Sequence, residues 1–242
     1  MNYQEFYDEL NTVMALNNLS HLLDDVKSSK FYFLMQHMLE VNKSMNLTAI
    51  KDEKAILALH FADSLTVADF LPENAKIIDV GCGAGFPSLP LGIARPDLRI
   101  TALDSTEKRI KYVQNTANLL EIPHFEAIAA RAEDFGKGKC REGFDFVTAR
   151  AVAALPVLTE LCLPLVKCGG SFIAMKAKRG EAELADAERA IERLGGKIKQ
   201  IKSIELKGTG GNEERLLIEI EKIKKTPLEF PRAYAKILKK PL

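Results

Sequence analysis

The residue types best suited to chemistry cluster between positions 77 and 105. An apolar run, Ile77-Ile78-Asp79-Val80, leads into Gly81-Cys82-Gly83-Ala84-Gly85, and Phe86-Pro87 follows. Glycine at every second position lets a chain turn sharply and approach a ligand with no Cβ in the way. Two ligands compete for such a loop. A dinucleotide pyrophosphate wants a third glycine where this chain has Phe86, and it would sit poorly beside Asp79. S-adenosylmethionine carries a zwitterionic amino acid and a sulfonium cation. Backbone amides over residues 83–86 suit its carboxylate, and Asp79 suits its cationic part. The spacing favours the sulfonium nucleoside, with a purely structural turn as the plainer alternative.

A second acid site follows. Thr101-Ala102-Leu103 ends in Asp104-Ser105, about twenty residues past the loop, where a ribose diol is bound in nucleoside-binding folds. The competing role for Asp104 is to cap a helix beginning at Thr106. Further on, Ala130-Arg131-Ala132-Glu133-Asp134 offers either an adenine-edge contact or the cap of a short helical turn. The thiols, Cys82, Cys140, Cys162 and Cys168, form no CxxC pair, so no metal is expected. None follows a proline, which also speaks against the covalent cysteine of cytosine-C5 methylation.

These residues need a scaffold, and the sequence outlines one. Short β-branched runs at 76–80, 99–103, 125–129, 144–148, 171–175, 198–205 and 215–221 read as strands. Helical patterns at 87–94, 106–120, 154–166 and 181–194 separate them, and Gly169-Gly170 and Gly195-Gly196 are read as helix stops. Alternating strands and helices imply a largely parallel sheet covered on both faces. The last two strands have only 207–212 between them and should form an antiparallel hairpin. The fold expected is α/β, a seven-stranded Rossmann-like class I methyltransferase sheet over residues 71–242 with an N-terminal helical extension over 1–70. In that extension, apolar residues recur at helical spacing in Tyr3/Phe6/Tyr7/Leu10, Phe31/Leu34/Met35/Met38 and Ile56/Leu57/His60/Phe61, with a polar connection at 42–52.

Composition agrees with a globular chain: 242 residues, 47% apolar, with 34 basic against 33 acidic side chains. A disordered chain would be less apolar and more lopsided in charge. At this length roughly 70% of the unfolded surface can be buried, so stability should need neither metals nor disulfides. No signal-like segment opens the chain, no apolar run approaches a bilayer span, and free thiols suit a reducing compartment, so a cytoplasmic protein is expected. The charge is unevenly placed. Lys222, Lys224, Lys225, Arg232, Lys236, Lys239 and Lys240 face only Glu229 in the last stretch, and Lys167, Lys176, Lys178 and Arg179 form a second basic group. Either a phosphate-binding surface or a solvated tail has this pattern.

The segments Asn46-Leu47-Thr48-Ala49-Ile50, His60-Phe61-Ala62-Asp63-Ser64-Leu65, 79–91, Leu103-Asp104-Ser105 with Lys108-Arg109, and Phe144-Asp145 with Ala149-Arg150-Ala151 resemble the GidB (RsmG) family of bacterial 16S ribosomal RNA guanine-N7 methyltransferases. That resemblance covers residue 40 to the C-terminus. It implies S-adenosylmethionine bound at Gly81 and Phe86, Asp104, Ala132-Glu133 and Arg150. Gly83 and Ser105 join them from the loop reading, and Arg150 is the best choice for a positioning group. On the acceptor side Asn46, His60, Lys176 and Arg232 are expected, with a core histidine as the other reading of His60. Amino-group methylation is disfavoured, because Thr148-Ala149-Arg150-Ala151 stands where an Asp/Asn-Pro-Pro-aromatic motif belongs. Guanine N7 needs no general base, so a site poor in bases is compatible with it. The implied partner is 16S ribosomal RNA, within the small subunit or its precursor, acted on by a monomer. Two other functions stay open: a non-catalytic RNA-binding assembly factor with a vestigial loop, and a nicotinamide-dependent oxidoreductase.

Overall fold

The computed structural model describes residues 1–150, 153–177, 180–208 and 213–242. In chain order its helices are α1 Tyr3–Leu16, α2 Asp25–Met45, α3 Glu53–Ile56, α4 Asp63–Leu65, α5 Ser88–Ala94, α6 Glu107–Leu119, α7 Ala132–Phe135, α8 Leu155–Cys162, α9 Gly180–Arg193 and α10 Tyr234–Lys239. The strands are β1 Lys76–Val80, β2 Arg99–Asp104, β3 Phe125–Ala129, β4 Phe144–Arg150, β5 Val166–Ala177, β6 Gly196–Leu206 and β7 Glu213–Lys222. They form one sheet in the order β3-β2-β1-β4-β5-β7-β6. β1 to β5 pair in parallel, and β7 enters antiparallel between β5 and β6. Strand order reverses at β1, whose neighbours are β2 and β4, and at such a point loops diverge and leave a crevice at the carboxyl ends.

Side chains alternate along the strands and so feed two cores. Ile77, Ala102, Ile173 and Leu217 face Phe6, Leu34, Met38 and Phe61 of the N-terminal helices. Ile78, Leu103, Val147, Phe172 and Ile218 face Leu158, Leu161, Ile191 and Ile237 on the other side. Residues 1–70 therefore share a core with the sheet, and position 70 marks the end of a helical segment, not a gap in packing.

Two local features differ from the sequence expectation. Gly169-Gly170 does not end a helix; it lies inside β5, opposite the register shift at Phe144/Phe146 of β4. Gly169 has φ +83°, and a Cβ on Gly170 would collide with the Asp145 carbonyl. The preceding helix stops at Cys162 and passes into a 3-10 turn, Leu163–Leu165, because Pro164 has no N–H to continue it. Likewise α2 runs through Asn42 to Met45. The Asn42 side chain both donates to the Thr48 carbonyl and accepts from its amide, at 2.9 Å each, so it fastens the turn after the helix. α3 and α4 are joined by a π-helical turn, Leu57–Ala62, which carries the Leu59 carbonyl and His60 to the ends of the strands, with Asp63 just beyond.

Candidate active site

At the end of β1 the chain adopts positive φ at Gly81 (+74°), Gly83 (+57°) and Gly85 (+91°), backbone that side-chain-bearing residues rarely accept. A Cβ on Gly85 would run into Leu89, whereas one on Gly83 would meet nothing, so Gly83 faces open cleft. Asp104, 8% exposed at the tip of β2, accepts from the Gly83 amide (3.1 Å) and from the Thr106 amide (2.8 Å). One carboxylate thus ties the glycine loop to the start of α6 and keeps further lone pairs for a ligand. Gly81, Asp104, Ser105, Ala132 and Glu133 line one cavity of about 190 Å³, over an apolar floor of Val80, Leu103 and Leu161.

The loop differs from expectation in two respects. The amides of Gly85 and Phe86 bond to the Cys82 carbonyl at 2.8 and 3.0 Å, and Gly83 is held by Asp104, so these donors are engaged within the chain. Asp79 is fully buried beneath the loop, where it accepts from Ser88 Oγ (2.5 Å) and Thr148 Oγ1 (3.3 Å). Burial pushes its carboxyl up to about 6, against the pull of Ser88 and Arg150. It braces β1, α5 and β4 from inside the core.

On the other side of the loop stands a connected set. Arg150, at the end of β4, donates to the Leu59 carbonyl (3.2 Å) and to Asp63 (2.9 Å), and its guanidinium lies 5.5 Å from the Phe86 ring centroid. Asp63, 5% exposed, also pairs with Arg215 Nε at 3.1 Å. Phe86 stacks on His60 with centroids 4.5 Å apart and planes at 13°. His60 Nε2 is 2.8 Å from Thr48 Oγ1, which already accepts the Ile50 amide (3.0 Å). Thr48 Oγ1 keeps a second lone pair, whereas His60 Nδ1 is buried with no hydrogen-bond partner among the described residues, so a proton on Nε2, donated to Thr48, leaves no buried donor unpaired. Burial first, then Arg150, lowers His60 to about 3, so the ring is neutral at physiological pH.

His60, Asp63, Arg150, Lys176 and Arg215 line a cavity of about 520 Å³. A third cavity, of about 370 Å³, includes Thr48, His60, Gly83, Phe86, Asp104 and Arg150 and so bridges the other two. The three make one cleft along the carboxyl ends of the parallel strands.

The expected cofactor residues Gly81, Gly83, Phe86, Asp104, Ser105, Ala132, Glu133 and Arg150 all line this cleft, as do His60 and Lys176. Lys176 is already paired with Glu183 (2.9 Å) and bonded to the Ala153 carbonyl (2.8 Å). Two expected acceptor residues are placed otherwise. Asn46 is the exposed left-handed cap of α2, φ +50°. Arg232 binds the fully buried Glu160 through its backbone amide, Nε and Nη2 at 2.6–2.8 Å. Lys222, counted with the basic tail, is buried and donates to the Leu163 carbonyl and Thr226 Oγ1. Lys178 and Arg179 lie outside the described residues. The sequence reading missed Asp63, Arg215 and Tyr234. Asp63 sits inside a quoted motif, but only the fold shows that it faces two arginines from β4 and β7.

A parallel sheet with its antiparallel strand inserted before the edge, a glycine loop after β1 and an acid ending β2 define a Rossmann-like S-adenosylmethionine-dependent methyltransferase. The residues fit that donor: open space at Gly83, aliphatic floor, and carboxylates Asp104 and Glu133 at the rim. A SAM-dependent methyltransferase from Aquifex aeolicus superposes with a TM-score of 0.51 at 18% identity, over 68% of this chain and 92% of that one. The geranyl diphosphate C-methyltransferase from Streptomyces coelicolor A3(2), solved with S-adenosyl-L-homocysteine, gives 0.50 at 14% identity over 66% and 78%. At such identities the likeness is one of fold. The family model "GidB: rRNA small subunit methyltransferase G" matches residues 27–216. Proteins named ribosomal RNA small subunit methyltransferase G are similar along nearly the whole chain. That of Staphylococcus carnosus is 46% identical over 224 residues, 91% of this chain and 92% of its own. That of Lactobacillus acidophilus is 42% identical over 247 residues, covering both chains completely. The chain belongs to the rRNA small subunit methyltransferase G family, and the nicotinamide reading of the loop is set aside.

Proposed function

We propose that this chain transfers the methyl group of S-adenosylmethionine to N7 of one guanine in 16S ribosomal RNA, within the small subunit or its precursor, and works as a cytoplasmic monomer. The observation that carries the reading is that the described acids lining the larger cavity, Asp63, Glu183 and Glu213, are all held in ion pairs. His60 is neutral, Asp79 is buried, and Asp63 is occupied by two guanidinium groups. The N7 lone pair lies in the plane of guanine and attacks without losing a proton, so such a cleft suffices for it. The donor, when bound, supplies an electrophilic methyl on a sulfonium.

The chain's own residues then bind and orient. Asp104 and Ser105 hold the ribose, and Ala132 and Glu133 meet the adenine edge. Arg150 and Phe86 stand between donor and acceptor cavities and align the base, a task worth several kcal/mol when geometry is well held. N7 lies on the major-groove edge, deep and narrow in A-form RNA, so the substrate guanine is unpaired or flipped out. The exposed Lys236, Lys239 and Lys240 supply phosphate contacts.

The test compares nucleosides of 16S rRNA by mass from cells with and without the gene, then adds purified protein and tritiated donor to subunits from the deleted strain. Loss of a single 7-methylguanosine, restored in vitro, is the expected result. Protein that binds the RNA yet transfers no label would instead support the non-catalytic assembly factor.

A further inference from the structure

We propose that Tyr234 is an adenine-contacting residue, so that the last helix of the chain forms one wall of the nucleoside site. This rests on the methyltransferase reading above and extends it to a segment that reading assigns to RNA alone.

The cavity beside Asp104 has two kinds of surface. Val80, Leu103 and Leu161 give aliphatic contact, and Glu133 gives a polar edge. Tyr234 is the one aromatic side chain among the described residues lining it, and it arrives from α10, some hundred positions away in sequence. Adenine is a flat, uncharged ring system, and its faces are best covered by aromatic and aliphatic side chains.

Tyr234 packs against the sheet's second core, and its neighbours in the chain anchor it there. Arg232 grips buried Glu160, and Arg141 donates to the carbonyls of Thr226, Pro227 and Phe230 at 2.7–3.1 Å. Ile237 is fully buried on the α10 face that meets the sheet's second core. The Arg131 guanidinium lies 5.7 Å from the Tyr234 ring centroid and restrains it further. The ring is thus half-buried and pre-positioned at the cavity, which lowers the ordering cost of binding. Docking of the helix does not require an aromatic ring at position 234, since Arg232 and Ile237 do that work.

The probe is S-adenosylhomocysteine, measured by calorimetry. Tyr234→Ala should weaken binding about tenfold, within the range for one base–aromatic stack, and Tyr234→Phe should stay within about twofold of wild type. The chain contains no tryptophan. Tyr234→Trp therefore introduces a single reporter whose emission should be quenched during titration. Leu238→Trp, half-exposed on the same helix, should not respond. Unchanged affinity in Tyr234→Ala, or a Tyr234→Trp emission indifferent to ligand, overturns this inference while leaving the methyltransferase reading intact. Wild-type protein that binds no S-adenosylhomocysteine overturns that reading instead. Where Tyr234→Ala melts early, the tryptophan titration decides.

Discussion

The two ends of the cleft are built in different ways. The end proposed to hold the donor takes most of its residues from one stretch, Gly81 to Glu133, where strand tips and short loops follow one another. The end proposed for the acceptor gathers His60 and Asp63 from the N-terminal helices, Arg150 from β4, Lys176 from β5 and Arg215 from β7. At the first, one carboxylate bonds backbone amides and fixes loop geometry. At the second, one carboxylate is shared by two guanidinium groups and fixes side chains. Donor binding should therefore be sensitive to single changes near the glycine loop, and transfer to single changes in a network assembled from the whole chain.

The largest expected effect is at the donor end. Asp104→Ala removes a charge-assisted bond to the loop and the proposed ribose acceptor together, and should weaken S-adenosylhomocysteine binding about a hundredfold by calorimetry. Next comes pH. Because His60 is held below its ordinary value, the unfolded chain takes up that proton first, and the stability it contributes is lost as pH falls below about 6.5. Relative to His60→Gln, urea unfolding of the wild type should lose about 2 kcal/mol between pH 7.5 and 5.

At the acceptor end, Asp63→Asn leaves Arg150 and Arg215 without their shared counter-charge. Methyl transfer should drop about tenfold with donor affinity within twofold; an equal loss of both would erase the distinction between the two ends. Asp79 titrates in the opposite sense to His60. Its carboxyl is raised to about 6, so the folded state binds the proton more tightly, and this contribution weakens as pH rises from about 4 to 6. Against Asp79→Asn, the wild type should lose about 1 kcal/mol between pH 5 and 7.5. Smallest is the tail: Lys239→Ala with Lys240→Ala should lower the salt slope of RNA binding by roughly 0.7 per lost contact. An unchanged slope removes these lysines from the RNA surface.

The same contrast explains what was legible in the sequence. β1 and β3 fall where the β-branched runs place them, and the antiparallel final pair follows from the shortness of the connection at 207–212 in the sequence. The donor loop reads well because its residues are neighbours in the chain. What failed there was finer: nothing local shows that Asp79 points down into the core, or that the loop amides donate to the Cys82 carbonyl and to Asp104. Arg215 at one end and Tyr234 at the other carry no motif signal toward the cleft, and the motif that holds Asp63 does not show what it faces, because their roles exist only once distant elements meet. Gly169-Gly170 misled for a related reason. Glycine after a helical run reads as a stop, and only the neighbouring strand shows that it instead makes room for the Asp145 carbonyl.

The insertion of β7 has a consequence for biosynthesis. A chain emerges from its N-terminus, so β5 is complete well before its neighbour β7 exists, and β6 has no partner in the sheet until β7 arrives. During that interval β5 presents an apolar edge with unpaired backbone groups, a surface prone to pairing with other nascent chains. Only β7, from Glu213 to Lys222, closes the seam. A ribosome stalled shortly before residue 213 should thus hold a product far more dependent on chaperones than one in which β7 has emerged.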